Sequence, residues 1–282
     1  MVKLINDANL PVSRASRVLN IPRRTVYNDR DKVPTKHEQT NDWLKTEIQR
    51  VFQAAKKRYG VIKITRQINT VHHMNFSDRR VSGLMKTLGI QSNIIKKWRA
   101  TQPSIGRQNR PNLVNQNFKT DTLNHIWTTD MTYIHTVHDG WTYLASVMDL
   151  HSRAIIGWAY GSKMTTELTL QALKKALNNR PAPVILHTDQ GSQFLSQSYE
   201  ETLTALNIRH SYSRPDVPYD NAVIESFHAT LKKELVHHEH YRNLTAAKLS
   251  LFEYIESWYN RRRMHGSLNY LAPMTFETQL RA

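Results

Sequence analysis

The sequence predicts an α/β fold, a five-stranded mixed sheet with flanking helices, preceded by small all-α modules resembling helix-turn-helix units. Three observations predict it. Up to about residue 92 the apolar residues recur at helical spacing. From residue 120 runs of aromatic and β-branched residues take over. Beyond the third such run, helical stripes alternate with short apolar segments, the pattern of strands joined by crossover helices. A chain of 282 residues has room for one such domain and one or two small modules.

The elements follow in order. Val12 to Arg30 reads as two short helices, with Ala15, Val18 and Leu19 on one face, Asn20 at the turn and Pro22 opening the second. This pair has helix-turn-helix character and would present Arg23, Arg24 and Tyr27 to DNA; helix packing explains it equally well. A stronger helix runs from Thr40 or Asn41 to Tyr59 on the stripe Leu44, Ile48, Val51, Phe52 and Ala55, and Gly60 stops it. Ile64 to His73 continues the helical pattern. Ser77 then caps a helix carrying Val81, Leu84, Met85 and Leu88, which Gly89 ends. Arg79 and Arg80 in its first turn fit either a DNA-facing or a solvated surface. Residues 93–119 lack any acid, carry Lys96, Lys97, Arg99, Arg107 and Arg110, and contain Pro103, Gly106 and Pro111, so they read as a basic linker able to follow phosphates. The expected organisation is a helix-turn-helix-like segment over 1–36, a helical DNA-binding-like module over 37–92, the linker, and a catalytic core over 120–282.

Within that core, Ile126 to Ile134 and Trp141 to Met148 flank an Asp139-Gly140 hairpin signal, and Ala154 to Tyr160 supplies a third strand. Thr165 caps a helix buried through Leu168, Ala172, Leu173, Ala176 and Leu177. Val184 to Leu186 is the next strand, Phe194 to Leu206 a helix, Ile208 to Tyr212 the fifth strand, and Asn221 to Leu235 a helix. The order β-β-β-α-β-α-β-α is that of an RNase H-like fold. A last helix, Ala246 to Asn260, should dock through Leu249, Phe252, Ile255 and Tyr259.

Composition narrows the partner. Lysine plus arginine number 39 against 23 aspartates plus glutamates, which favours a polyanion such as nucleic acid. With no cysteine, disulfides and thiolate zinc sites are excluded, and a reducing, cytoplasmic setting fits. No segment approaches the ~20 apolar residues of a membrane helix. His72-His73 and the group His237, His238 and His240 do not read as zinc sites, because adjacent histidines on a helix diverge.

Three acids stand out. Asp130 sits mid-strand, where an unpaired charge is costly. Asp189 follows the strand Val184 to Leu186, at the strand end where α/β sites are built. Glu225 lies on a helix that must pack on the sheet beside Val223 and Ile224. Convergent carboxylates of this kind could hold two divalent ions for phosphodiester chemistry. Asp139, Asp149 and Asp220 compete; Asp149, ending the second strand, is the best substitute ligand, whereas Asp139 suits the hairpin turn and Asp220 flanks the expected helix cap Asn221.

Thirty-five residues separate Asp189 from Glu225. With Trp127-Thr128-Thr129-Asp130, His187-Thr188-Asp189-Gln190-Gly191-Ser192-Gln193-Phe194, Pro218 to Phe227, Tyr259 to His265 and Leu271-Ala272-Pro273, this spacing resembles bacterial insertion-sequence transposases of the DDE and retroviral-integrase superfamily. The nearest group is the second-reading-frame product of the insertion-sequence group numbered three. The likeness covers Thr120 to Phe276 closely and Tyr59 to Gly89 more loosely. Asp216 departs from it, since relatives commonly have glycine there.

The resemblance implies a transposase that cleaves element ends and transfers strands with two Mg2+ ions, Mn2+ substituting. Asp130 would bridge both ions, with Asp189 and Glu225 completing one sphere each. It also implies copy-out, paste-in transposition, terminal inverted repeats and target DNA as partners, a homo-oligomer on that DNA, and fusion to an upstream-frame product by frameshifting. Lys232, seven residues after Glu225, returns to the same helical face and would hold a phosphate. Asn221 fits DNA contact or helix capping, Ser226 could help position Glu225 or DNA, and Gln193 fits DNA contact or ordering of its loop. Arg261, Arg262, Arg263 and His265 form a basic rim for phosphates. The alternatives are an RNase H-like nuclease without strand transfer and a DNA-binding regulator using the N-terminal helices.

Overall fold

The computed structural model describes residues 11–30, 34–94, 110–214 and 217–281, so Lys96, Lys97, Arg99, Arg107 and Asp216 lie outside the described residues. The chain divides into two compact units, Met1–Ser92 and Asn93–Ala282.

The first unit is all helical. Helices α1 (Val12–Leu19) and α2 (Arg23–Arg30) meet at Asn20, whose left-handed φ of 51° lets its N–H close onto Ser16 O. Val18, expected on the packed face, is exposed, as are Arg23, Arg24 and Tyr27. Helix α3 (Lys36–Ala54) begins earlier than its apolar stripe suggests. The cause is a capping box, with the Glu38 N–H donating to Thr35 Oγ1 and the Thr35 N–H donating to Glu38 Oε2. It also ends before Tyr59, because Lys56 and Lys57 turn to positive φ, and Gly60 starts α4 (Val61–His72) rather than stopping α3. Helix α5 (Asp78–Thr87) is capped by Ser77 as expected. Gly89, at φ 63°, closes it with the paired bonds Ile90 N–H to Met85 O and Gly89 N–H to Lys86 O. Leu44, Ile48, Val51, Ile64, Ile68 and Val81 from these three helices form the core.

The second unit carries the sheet. Strands β1 (Ile126–Thr136), β2 (Gly140–Asp149) and β3 (Ile155–Gly161) form an antiparallel meander. Helix α6 (Thr166–Asn179) crosses over to β4 (Ile185–Thr188), and α7 (Gln197–Ala205) leads to β5 (Arg209–Tyr212). The order is β3-β2-β1-β4-β5, with β4 parallel to both of its neighbours. One face packs Trp127, Ala145, Val147 and Ala159 against α6 and α7. Gly157 makes that contact close, since a Cβ there would stand 2.4 Å from Ala172 O. The other face receives α8 (Ala222–Glu234), which follows a 3-10 turn over Pro218–Asn221. Among the described residues, no helix is long and apolar enough to cross a membrane.

Two expectations change here. Residues 110–119 are not linker in character: Val114 is buried, the Leu113 N–H donates to Ser211 Oγ, and the Tyr212 N–H donates to Pro111 O. These bonds lay the segment along β5. In addition, Leu249 and Phe252 do not dock. They lie exposed on α9 (Leu244–Phe252), because the chain then widens into a π-helical stretch, Glu253–Tyr259. Ile255 and Tyr259 dock as expected, and in the wider turn Tyr254 and Trp258 are buried beside them. Helix α10 (Pro273–Arg281) completes the unit.

Candidate active site

Strand pairing brings the first two acids together. The β1–β4 register ends at Thr128 opposite His187, and two further residues along each chain are Asp130 and Asp189. Neighbouring strands lie ~4.8 Å apart, so the two acids emerge side by side where β4 stops. Asp130 shares the Ile126 and Thr128 face of β1, the face that α8 covers.

Helix α8 brings the third acid. Its N-terminal residue Asn221 makes no capping bond; its Oδ1 accepts from the Thr128 hydroxyl at 2.7 Å, both residues being buried. That bond ties the start of the helix to β1 two residues before Asp130. The capping alternative for Asn221 therefore does not hold in this structure. Glu225 stands one turn further on and is solvent-accessible. Its pKa is nevertheless raised, first by the protein mass around the carboxyl and then by the negative charges of Asp130 and Asp189. Three like charges thus bear on one region of the surface.

Each aspartate is satisfied locally. Asp130 Oδ1 accepts from the Met131 N–H at 2.7 Å, and Asp189 Oδ1 accepts from the Gly191 N–H at 2.9 Å. Asp130 Oδ2 faces His228 Nδ1 at 3.3 Å. Among the described residues no three His, Asp or Glu side chains are gathered closely enough to grip a metal ion as they stand. The donor set, carboxylate oxygens of like charge, fits a hard divalent cation.

His228 is a residue that sequence reasoning missed. It is buried beneath the site, and its Nε2 lies 3.3 Å from Ser146 Oγ on β2. Ser146 is the cross-strand partner of Asp130. Because the carboxylate can only accept, Nδ1 carries a proton toward Asp130, and the Ser146 hydroxyl, able to donate or accept, meets the other nitrogen. The available signal was helical spacing, since His228 stands three residues after Glu225 and so lies near it on the helix surface.

The remaining candidates separate. Lys232 is half-buried, with its Nζ 3.9 Å from the ring centroid of Tyr133, three residues beyond Asp130 on β1. Gln193 is buried against Gly191, and its carbonyl accepts from Thr166 and Ser196, which favours ordering of the loop. Arg263 is not on a phosphate-binding rim: it is turned inward onto buried Glu234 at 2.9 Å. Its Tyr259 neighbour packs edge-on against the His265 ring, while Arg261 and Arg262 are exposed. In the first unit Arg80 is also committed, donating twice to Asn41 Oδ1, whereas Arg79 is exposed.

The competing acids are structural. Asp149 does not serve as a substitute ligand: it is fully buried, and its oxygens accept from the backbone N–H groups of Asn124, His151 and Ser152. Asp220 accepts from Asn112, Gln116 and Arg214, and Asp139 from the Leu244 N–H.

Comparison with known proteins gives consistent results. Residues 121–218 and 206–273 match two integrase core domain families, and residues 39–98 match an HTH-like domain. That last match falls on α3 to α5 and the residues after them, not on α1 and α2. The chain is 38% identical over 247 residues to the transposase for insertion sequence element IS904 of Lactococcus lactis, covering 86% of this chain and 97% of that protein. It is 33% identical over 280 residues to transposase InsF for insertion sequence IS3A of Escherichia coli, covering 97% of this chain and 96% of that one. The solved HTLV-2 integrase catalytic core domain in complex with magnesium overlaps 56% of this chain and 99% of that chain, at 21% identity and a TM-score of 0.44.

Proposed function

Since this chain belongs to the integrase-core transposases of bacterial insertion sequences, we propose that Asp130, Asp189 and Glu225 form its catalytic site for cleaving and joining DNA ends. The observation that carries this reading is the convergence of the three acids where β1, β4 and α8 meet, close enough for Asp130 and Asp189 to act on the Glu225 carboxyl. Like charges so gathered are stable at neutral pH when a divalent cation shares them.

Asp130, Asp189 and Glu225 would together hold two magnesium or manganese ions. A bound pair supplies Lewis-acid activation of a water or a 3′-hydroxyl and stabilisation of the leaving 3′-oxygen. The chain's own residues do the rest. His228 holds the Asp130 carboxylate at one oxygen while Met131 N–H holds the other. The Asn221–Thr128 bond keeps α8, and with it Glu225, seated on β1. Lys232, at the far end of the helix, is within reach of a phosphate beside the scissile bond. Asn221, already bonded to Thr128, acts by positioning. The exposed Arg23, Arg24, Tyr27, Arg79, Arg261 and Arg262 would follow more distant backbone.

The reading includes terminal inverted repeats and target DNA as substrates, action on intracellular DNA, assembly of several copies, and fusion to an upstream-frame product. Sizing on DNA and the sequence preceding the gene address the last two. The central test uses Asp130→Asn, Asp189→Asn and Glu225→Gln with a labelled terminal-repeat duplex and magnesium. Each substitution should abolish cleavage and joining while leaving DNA binding in calcium intact. Joining by any of the three at the wild-type rate would end the assignment. Cleavage by the unsubstituted protein without joining would favour a nuclease.

A further inference from the structure

Beside α8 is a cleft of about 400 Å³, whose lining includes none of the three acids. Its lining includes the first turn of α8 and, further along, Ser226 and Thr230, together with Ser267 and Arg153. We propose that this cleft binds a phosphate group, supplied by the DNA backbone, with the Arg153 guanidinium as its principal partner. The inference rests on DNA being the substrate but not on which residues perform catalysis.

Arg153 is the reason. It lies in the β2–β3 turn, held at φ 60° with its N–H on Asp149 O. Its Nη2 donates to Phe118 O at 3.3 Å, whereas its Nη1 is buried and has no hydrogen-bond partner among the described residues. No ion pair to Arg153 forms among the described residues. Asp149, the acid nearest in sequence, has both oxygens filled by other donors. Burial accordingly pushes the Arg153 pKa down, against weaker upward pulls from Tyr259 and Asp149. A buried cation with an unfilled donor is costly unless an anion completes it.

The cleft suits a tetrahedral oxyanion. Ser226, Thr230 and Ser267 add hydroxyls, rotatable donors, to the cleft lining. Among the described residues no carboxylate lines the cleft, and the other arginine there, Arg263, is paired with Glu234. A backbone phosphate so held would lie along the flank of α8, one residue over from Glu225.

The test measures binding of a random-sequence duplex in calcium across a KCl series, for wild type, Arg153→Gln and Ser267→Glu. Ser267 is exposed, so that second variant perturbs charge at the cleft without disturbing the core. A single lost phosphate contact makes the slope of log K against log salt shallower by about 0.9, so a variant that equals wild type at ~1 M salt binds about eightfold more weakly than wild type at ~0.1 M. Both variants should show this loss. A parallel arm compares thermal shifts in potassium phosphate and KCl at equal ionic strength. A shift in the wild type alone, with unchanged DNA slopes, would mean that free phosphate rather than backbone is the occupant and would overturn the backbone assignment. Wild-type slopes in both variants, together with no phosphate-specific thermal shift in the wild type, would overturn the site altogether.

Discussion

Substituting Glu234 should unfold the catalytic unit far more readily than its place at the end of a surface helix suggests. Its side chain is 2% exposed and accepts from Arg263 Nε and Nη2, Tyr254 O–H and Trp258 Nε1. It thereby joins the last turn of α8 to the π-helical stretch. Desolvation would lower the Arg263 pKa, but the Glu234 charge and hydrogen bonds outweigh it and raise it. Breaking one side of such a pair leaves an uncompensated buried charge and costs about 3–5 kcal/mol. Glu234→Gln should lose that amount. Glu234→Ala should lose roughly 1 kcal/mol more through the deleted methylene. The double variant Glu234→Met with Arg263→Met should be less destabilised than either single one, because a buried pair replaced by apolar groups is often neutral. Urea denaturation at neutral pH followed by tryptophan fluorescence reads this, since Trp127, Trp141, Trp158 and Trp258 lie in the second unit. A loss below about 1 kcal/mol for Glu234→Gln, or a double variant as unstable as the sum of the singles, would refute the reasoning.

Three further outcomes are expected. His228→Ala should lower joining about 10- to 100-fold, as removal of a ligand-orienting partner does, while His228→Asn recovers part of it and DNA affinity stays unchanged; equal rates for wild type and His228→Ala would dismiss the positioning role. Burial would raise the Asp220 pKa, but the Arg214, Gln116 and backbone bonds prevail and depress it. Its stabilisation is therefore present above the unfolded value of 3.8 and lost as pH falls below it, so acid unfolding should be steeper in wild type than in Asp220→Asn. Gly157→Ala should destabilise by about 1–3 kcal/mol because the new methyl meets the α6 backbone, whereas Gly83→Ala in α5, with nothing within 4 Å, should stabilise by roughly 0.5–1 kcal/mol; a reversed order would show that the close sheet-to-helix approach is not real.

Much of the fold was legible because its signals are local. Ser77 and Thr165 cap the helices they precede, the Asp139-Gly140 pair turns the hairpin, and the apolar stripe of α6 is buried as its periodicity requires. Local rules failed where another term prevailed. The Thr35–Glu38 capping box extended α3 beyond its stripe, and the π-helical turn rotated Leu249 and Phe252 outward although both fit the apolar period. Basic residues were read as exposed by default. Arg263 and Arg80 are instead spent on Glu234 and Asn41, 29 and 39 positions away in the chain, separations that no local pattern encodes.

By itself, the sequence determined the elements, their order and the three acids with the motifs around them, because strand and helix periods, caps and motif spacing are written along the chain. Only the tertiary structure decided what each charge does. It set Asp130 beside Asp189 through parallel pairing, put His228 and Ser146 beneath Asp130, withdrew Asp149 and Arg263 into the interior, and left Arg153 buried with an open donor. The physical reason is that the strength and availability of a charge depend on its solvation and nearest partners, and those are fixed by register and packing between segments remote in sequence.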